Sequence, residues 1–439
     1  MTAPQHLTIT GPEDILGYVP HSLGYWPSRS LVAMTMQGKR LGATLRVDLP
    51  VSESRRERED FARNVAGYLL ADDAADGSLL MFFTNDGWTD ASGPGESGQV
   101  AGRLLLADLE SALGLAGMPV RDAWYVGEEY WRNAYCTDAG CCALPGRPVA
   151  EIRDSRLNAE MVFLGSTVGA PPGTALAGDD MQQAAEDPAV EAAEERWADE
   201  LEGRRASRPQ FDRVMDVWER VLAADPGACI APEMAGFLRA CLCVPAWRDA
   251  VLVMAAAGRP AAEAGAEEFG IFSARASLPI SGPAVSDPAV SDPAVSDPAL
   301  SGHSAPAGRA EPDPERGRVD QGIPAGREPA PVPGYGEVLL GLSPALPDWD
   351  TMKRLEDLML LLSSRGPGEA RAAALTAKGW IEWCRGRGSF AHASLSRALE
   401  ASPGYRLAEL LSEVVRRGTI CGWASRREAA WQKFGTDAA

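Results

Sequence analysis

Histidine is nearly missing from this sequence, with four in 439 residues. Three of them, His6, His303 and His392, fall in a terminus, a proline-rich stretch and a helix face. The signatures H-E-x-x-H and G-x-S-x-G are both absent, so neither a zinc-protease helix nor a nucleophile elbow can be drawn on the chain. Long apolar runs are missing too. The densest, "DAVLVMAAAG" (Asp249 to Gly258), is too short to span a bilayer and reads as one buried helix. The opening "MTAPQHLTITGPED" has neither the basic start nor the apolar core of a secretory signal. The expectation is therefore cytoplasmic residence, where cysteines stay reduced unless they hold metal or cycle in catalysis. Basic charge is also in deficit. Lys and Arg total 42 against 61 acids, a net −19, and no basic stripe compensates. Such a chain repels phosphate backbones and anionic lipid, which argues against nucleic-acid and membrane partners.

What is present is enough apolar material for two or three domains: 45% hydrophobic residues over 439 positions. Residues 1–170 alternate strand-like and helix-like patterns, which predicts an α/β fold, a mixed sheet sandwiched by helices. "SLVAMTM" (Ser30 to Met36) and "GATLRVDL" (Gly42 to Leu49) predict a hairpin around "QGKR". The run from Ser54 to Ala71 predicts a helix with Phe61, Val65, Tyr68 and Leu69 on its apolar face. "SLLMFFT" (Ser78 to Thr84) predicts a buried strand, Gln99 to Ala116 a helix, and Val120 to Trp131 one or two further strands.

Beyond residue 170 the pattern turns all-helical. Residues 171–206 predict an acidic helical connector and 207–277 a helical segment. In 278–333, the repeat "PAVSDPAVSDPAVSDPALSG" and its charged continuation cannot bury enough apolar surface to offset ordering entropy, so a disordered linker is expected. Helices resume over 334–432. "MKRLEDLMLLL" places Leu355, Leu358, Met359 and Leu362 on one face. Leu375 to Gly404 is similar to one tetratricopeptide-type hairpin, with Gly379, Gly386, Ala391, Leu395, Ala398 and Pro403 at its small, apolar and terminal positions. "RVLAADPG" (Arg220 to Gly227) echoes "RALEASPG" (Arg397 to Gly404), which suggests a second hairpin before the linker.

Four blocks together carry a family resemblance: "GPEDILGYVPHSLGYWPSRSLV" (Gly11 to Val32), "RVDLP" (Arg46 to Pro50), "CTDAGCCALPGRP" (Cys136 to Pro148) and "WIEWCRGRGSFAHASLSRALEASPG" (Trp380 to Gly404). In order and spacing the chain resembles the actinobacterial family termed domain of unknown function 4192, to which the resemblance attaches no activity. It departs from that pattern at Tyr130, Trp131, Arg132 and Asn133, where an Arg-Trp-Trp-Ser run is expected, and at Ala143, where proline is usual.

Chemistry-bearing residues are few. Cys136, Cys141 and Cys142 offer three soft ligands, and His21, in another family block, would complete a tetrahedral zinc site. Against zinc stands the spacing, which is not C-x2-C. Thiol chemistry is the other alternative, with Arg132 and Arg147 as nearby cations. Buried cysteines that pack as small hydrophobes are the preferred reading. "GPGESGQVAG" (Gly93 to Gly102) imitates a phosphate loop, but Gln99 and Val100 stand at the lysine and hydroxyl positions, so it reads as an ordinary loop. Arg46 and Asp48 share one face at a strand end. They face either a ligand or each other in a salt bridge closing the sheet edge, and the salt bridge is preferred. Trp380, Trp383, Phe390 and Leu395 form a stripe read as core before groove. The reading favoured is a non-enzymatic interaction or regulatory module with a protein partner and no cofactor. The alternative is a zinc- or thiol-dependent enzyme or sensor at the cysteine cluster.

Overall fold

The computed structural model describes residues 9–50, 54–84, 96–136, 145–172, 187–224, 230–273, 278–284 and 333–431, with 96–102 described by backbone alone. Its first part is a six-stranded mixed sheet between two layers of helices, as the alternating pattern predicts. Helix α1 (Pro12–Leu23) leads into β1 (Ser30–Gln37) and β2 (Arg40–Asp48), an antiparallel hairpin closed at Gly38, where φ is +63°. Then come α2 (Arg55–Leu69), β3 (Gly77–Phe83), α3 (Glu96–Leu115), β4 (Val120–Val126), β5 (Tyr130–Asn133), β6 (Arg147–Pro148), α4 (Ala150–Arg153) and α5 (Arg156–Phe163). The strand order is β2-β1-β3-β4-β5-β6, and only β3 and β4 run parallel.

Period-two alternation divides the central strands between two cores. Leu31, Ala33, Leu80, Phe82, Ala123 and Tyr125 meet α2 and α3 on one face. Val32, Met34, Leu79, Met81, Phe83, Trp124 and Val126 meet α1 and α4 on the other. Strands buried on both faces read as continuous apolar runs, which is why "SLLMFFT" shows no alternation. On α2 the buried positions are Ala62, Val65, Ala66 and Leu69. Tyr68, predicted on that face, instead donates its hydroxyl to the Arg417 carbonyl at 3.2 Å in the second part of the molecule.

That second part is all helix: α6 (Pro188–Glu202), α7 (Arg208–Ala223), α8 (Pro232–Leu242), α9 (Pro245–Ala257), α10 (Arg259–Glu268), α11 (Tyr335–Leu339), α12 (Trp349–Ser364), α13 (Gly368–Cys384), α14 (Gly388–Ala401) and α15 (Arg406–Arg416). One apolar core runs through it from Val190 to Ala429, so the helices on either side of residues 285–332 fold as one body. Residues 285–332 themselves, most of the expected linker, lie outside the described residues. Its first residues do not hang free. The Leu278 carbonyl accepts from Arg204, and Ile280 exchanges two hydrogen bonds with the Gln210 side chain on α7. Buried Arg239 on α8 fastens the two halves: it pairs with Glu194 of α6 at 2.5 Å and donates to the Leu362 and Pro367 carbonyls at 2.6 and 2.9 Å. It thereby adds a charged donor to the Leu362 carbonyl in the last turn of α12, which the Arg365 N–H reaches only at 3.4 Å.

The hairpin α13–α14 closes as tightly as its small residues predict. A Cβ on Gly379 would stand 2.8 Å from Leu395 Cγ. Trp380 and Trp383 are core, their indole N–H groups donating to the Leu339 and Thr419 carbonyls. A buried ionic network crosses from α12 to this hairpin. Glu356 accepts from Arg385 at 2.6 Å and lies 3.6 Å from Lys378; Glu382 lies 3.3 Å from Lys378 and 3.1 Å from Arg387. Burial pushes the Glu356 carboxyl up, but Arg385 and Lys378 outweigh it and hold the group at about 2. Burial likewise raises Glu382, and there Arg387 and Lys378 do not fully offset it.

The two carboxylates should therefore respond oppositely to neutralisation. Glu356→Gln leaves buried Arg385 unpaired and should cost about 3 kcal/mol in urea unfolding, whereas Glu382→Gln should cost under about 1 kcal/mol or stabilise. Because the folded Glu356 sits below its free value of 4.5, its contribution is complete above that pH and fades as pH falls toward about 2.

Candidate functional site

Parallel pairing of β3 and β4 brings their carboxyl ends to one edge, with Phe83 beside Val126. The antiparallel neighbours bring Ser30, the start of β1, and Asp48, the end of β2, to the same edge. Just outside it lies a cleft of about 260 Å³, lined by Trp26, Pro27, Ser28, Phe83, Thr84, Val126, Gly127, Glu128, Arg153 and Pro171. This is the crevice beyond strand carboxyl ends where open α/β sheets bind ligands.

Each wall is placed by a local device. Helix α1 ends at Gly24, whose φ of +87° turns the chain while its N–H caps the Pro20 carbonyl at 2.7 Å. The next residues, Tyr25 to Ser28, run across the strand ends. Arg29 then adopts φ +44°, a conformation non-glycine residues rarely hold, before β1 begins. Residues 166–171 are drawn alongside: Gly169 donates to the Gly24 carbonyl at 2.8 Å, which brings Pro171 to the rim. Wholly buried His21 braces this arrangement, with Nδ1 2.9 Å from Ser166 Oγ and Nε2 2.7 Å from Asn158 Oδ1.

Inside the cleft, the Trp26 ring meets the Phe83 ring edge-on at 6.0 Å, and the Arg153 guanidinium lies over Trp26 at 5.3 Å. Thr84 extends the β3–β4 ladder by donating its N–H to the Val126 carbonyl at 2.9 Å. Its hydroxyl oxygen is shut off from solvent and has no hydrogen-bond partner among the described residues, an arrangement that ordinarily costs about 1–3 kcal/mol. Ser28, Glu128 and Arg153 are exposed at the mouth, while Pro27, Phe83, Val126 and Gly127 are buried beneath them. The arrangement can stack a ligand on an indole, hold charges of both signs and hydrogen-bond through hydroxyls.

The residues singled out from sequence divide around this edge. Arg46 and Asp48 form a salt bridge at 2.5 Å. Arg46 also donates to the Ser28 carbonyl at 3.4 Å and to Ser389 Oγ at 3.3 Å, so it ties the cleft's rim to the first turn of α14. Phe390, the outermost of the predicted stripe, packs edge-on against buried Tyr25 at 5.4 Å, with the Arg387 guanidinium 3.9 Å from its ring centre. Cys141, Cys142 and the glycine-rich stretch from Gly93 to Gly95 lie outside the described residues. Cys136 is half-buried, its N–H donating to Asn133 Oδ1 at 3.1 Å. Among the described residues no group of three His, Cys, Asp or Glu could hold a metal ion, and no single helix is long and apolar enough to cross a membrane.

Sequence reading passed over Trp26, Thr84, Glu128 and Arg153, which come from four separate segments. The one signal on hand was position: Trp26 and Ser28 stand in the first family block, immediately before a fully buried strand.

Fold and cleft thus define a helix-layered mixed α/β sheet with a crevice at its edge and a helical body docked beside it. The family model described as a domain of unknown function, DUF4192, matches residues 12–272 and 345–420, well over half of the chain. The chain belongs to that family. Neither a curated protein nor a solved structure matches it.

The docking contact is open to direct measurement. A thermodynamic cycle with Tyr25→Ala, Phe390→Ala and the double variant should give a coupling of about 0.5–1.5 kcal/mol in chemical unfolding. Strict additivity would show that the two rings do not hold the helical body to the sheet edge.

Proposed function

We propose that this chain is a binding module and not a catalyst: the cleft takes a small ligand, and the helical body docked on the same edge responds to its occupancy. The cleft is the observation that carries this reading. It stands at the carboxyl ends of the one parallel strand pair of the described sheet and is furnished for stacking and hydrogen bonding. Ser28 gives occupancy a route outward, because it lines the cleft while its carbonyl accepts from Arg46, whose guanidinium also reaches Ser389 on α14. Tyr25, next in sequence to Trp26, holds Phe390. A ligand that shifts Trp26 or Ser28 thus works against the contacts that seat the helical body.

A protein partner is proposed for the helical body itself. Leu340, Leu342, Leu346 and Ile420 are 49%, 56%, 63% and 40% exposed. Two of them meet the stretch just after Ile420, since Gly422 donates to the Leu340 carbonyl and lies against Leu342. Clustered exposed apolar side chains of this kind mark interaction surfaces.

A ligand-observed NMR screen of the full chain with small stacking fragments tests the ligand reading. Hits should compete for one site and vanish in Trp26→Ala, while that variant's melting temperature stays within about 5 °C of the parent. A screen that returns no Trp26-dependent hit sinks it.

A further inference from the structure

The lining of the cleft holds one cation, Arg153, and one anion, Glu128, both exposed at its mouth. Among the described residues neither is engaged in an ion pair; Arg153 rests only on the face of Trp26. The same lining includes the apolar side chains of Trp26, Pro27, Phe83 and Val126. The volume, about 260 Å³, falls below the ~300 Å³ at which ordinary drug-sized sites begin. A molecule of amino-acid size fits such a space.

We infer that the cleft binds a small zwitterion, a free α-amino acid with an apolar side chain, with its carboxylate on Arg153, its ammonium on Glu128 and its side chain against Trp26 and Phe83. The inference rests on the reading of the cleft as a ligand site. Electrostatics select the class. A simple carboxylate would satisfy Arg153 but bring a second negative charge toward Glu128, in a protein already at −19. A simple amine would satisfy Glu128 and meet Arg153 with like charge. A zwitterion pairs both groups and adds no net charge, so discrimination comes from repulsion as well as attraction.

Isothermal titration of the full chain at pH 7 with L-phenylalanine, hydrocinnamate and phenethylamine tests the class, because the latter two each lack one charge. Phenylalanine should bind at least about tenfold tighter than either analogue. Arg153→Gln and Glu128→Gln should each remove about tenfold of that affinity, and Trp26→Ala should abolish it. Equal binding of hydrocinnamate and phenylalanine, with Glu128→Gln silent, would overturn the zwitterion while leaving the cleft a ligand site, provided Trp26→Ala still abolishes binding. Tight phenethylamine binding indifferent to Arg153→Gln would overturn it in the same way. Absence of Trp26-dependent binding by all three probes overturns the class, and the fragment screen then decides the site itself.

Discussion

The parallel pairing of β3 with β4 is the constraint on which the functional architecture depends. Every other neighbouring pair in the sheet is antiparallel. Antiparallel neighbours alternate beginnings and ends along an edge, but a parallel pair presents two carboxyl ends side by side, and the chain must leave both for connections elsewhere. The cleft opens where the two strands end, with Thr84 and Gly127 in its lining. Had β4 entered from the opposite direction, Val126 and Gly127 would sit at the far edge, and Trp26 would have no second wall to face.

The helical body extends the same logic by holding one short stretch, the first turn of α14, against that edge. Ser389 and Phe390 reach Arg46 and Tyr25 because Arg387, just before the helix, is anchored to Glu382, and Glu382 belongs to a buried network with Lys378, Arg385 and Glu356. Such networks contribute little net stability compared with apolar packing of equal volume. What this one supplies is position, since each cation leaves the carboxylate beside it one low-energy arrangement. Arg239 does the same between α6, α8 and α12, and thereby joins segments separated by the repeat region.

Much of the fold was legible because it is written in period. The continuous apolar runs of β1 and β3, the four-residue rhythm of Leu355, Leu358, Met359 and Leu362, and the small residues Gly379 and Ala391 each report local burial directly. Tyr68 shows where that reading stops. Its spacing puts it on the apolar face of α2, yet its hydroxyl is spent on a carbonyl nearly 350 positions away, at Arg417. The pairing of Arg46 with Asp48 was readable as i and i+2 on a strand. The reach of Arg46 to Ser389 was not, because no local pattern encodes which helix will lie across a sheet edge.

The sequence by itself determined the class of the domain, the two helical segments flanking a proline-rich stretch, the family, and the want of any intact catalytic signature. All of these are local properties, set by side-chain volume, backbone preference and charge within a few turns of chain. Only the tertiary structure decided that the helical segments share one core and that Trp26, Thr84, Glu128 and Arg153 converge. Their convergence depends on strand direction and on the approach of distant segments, fixed by the summed burial of cores to which no single stretch contributes enough to leave a mark in its own pattern.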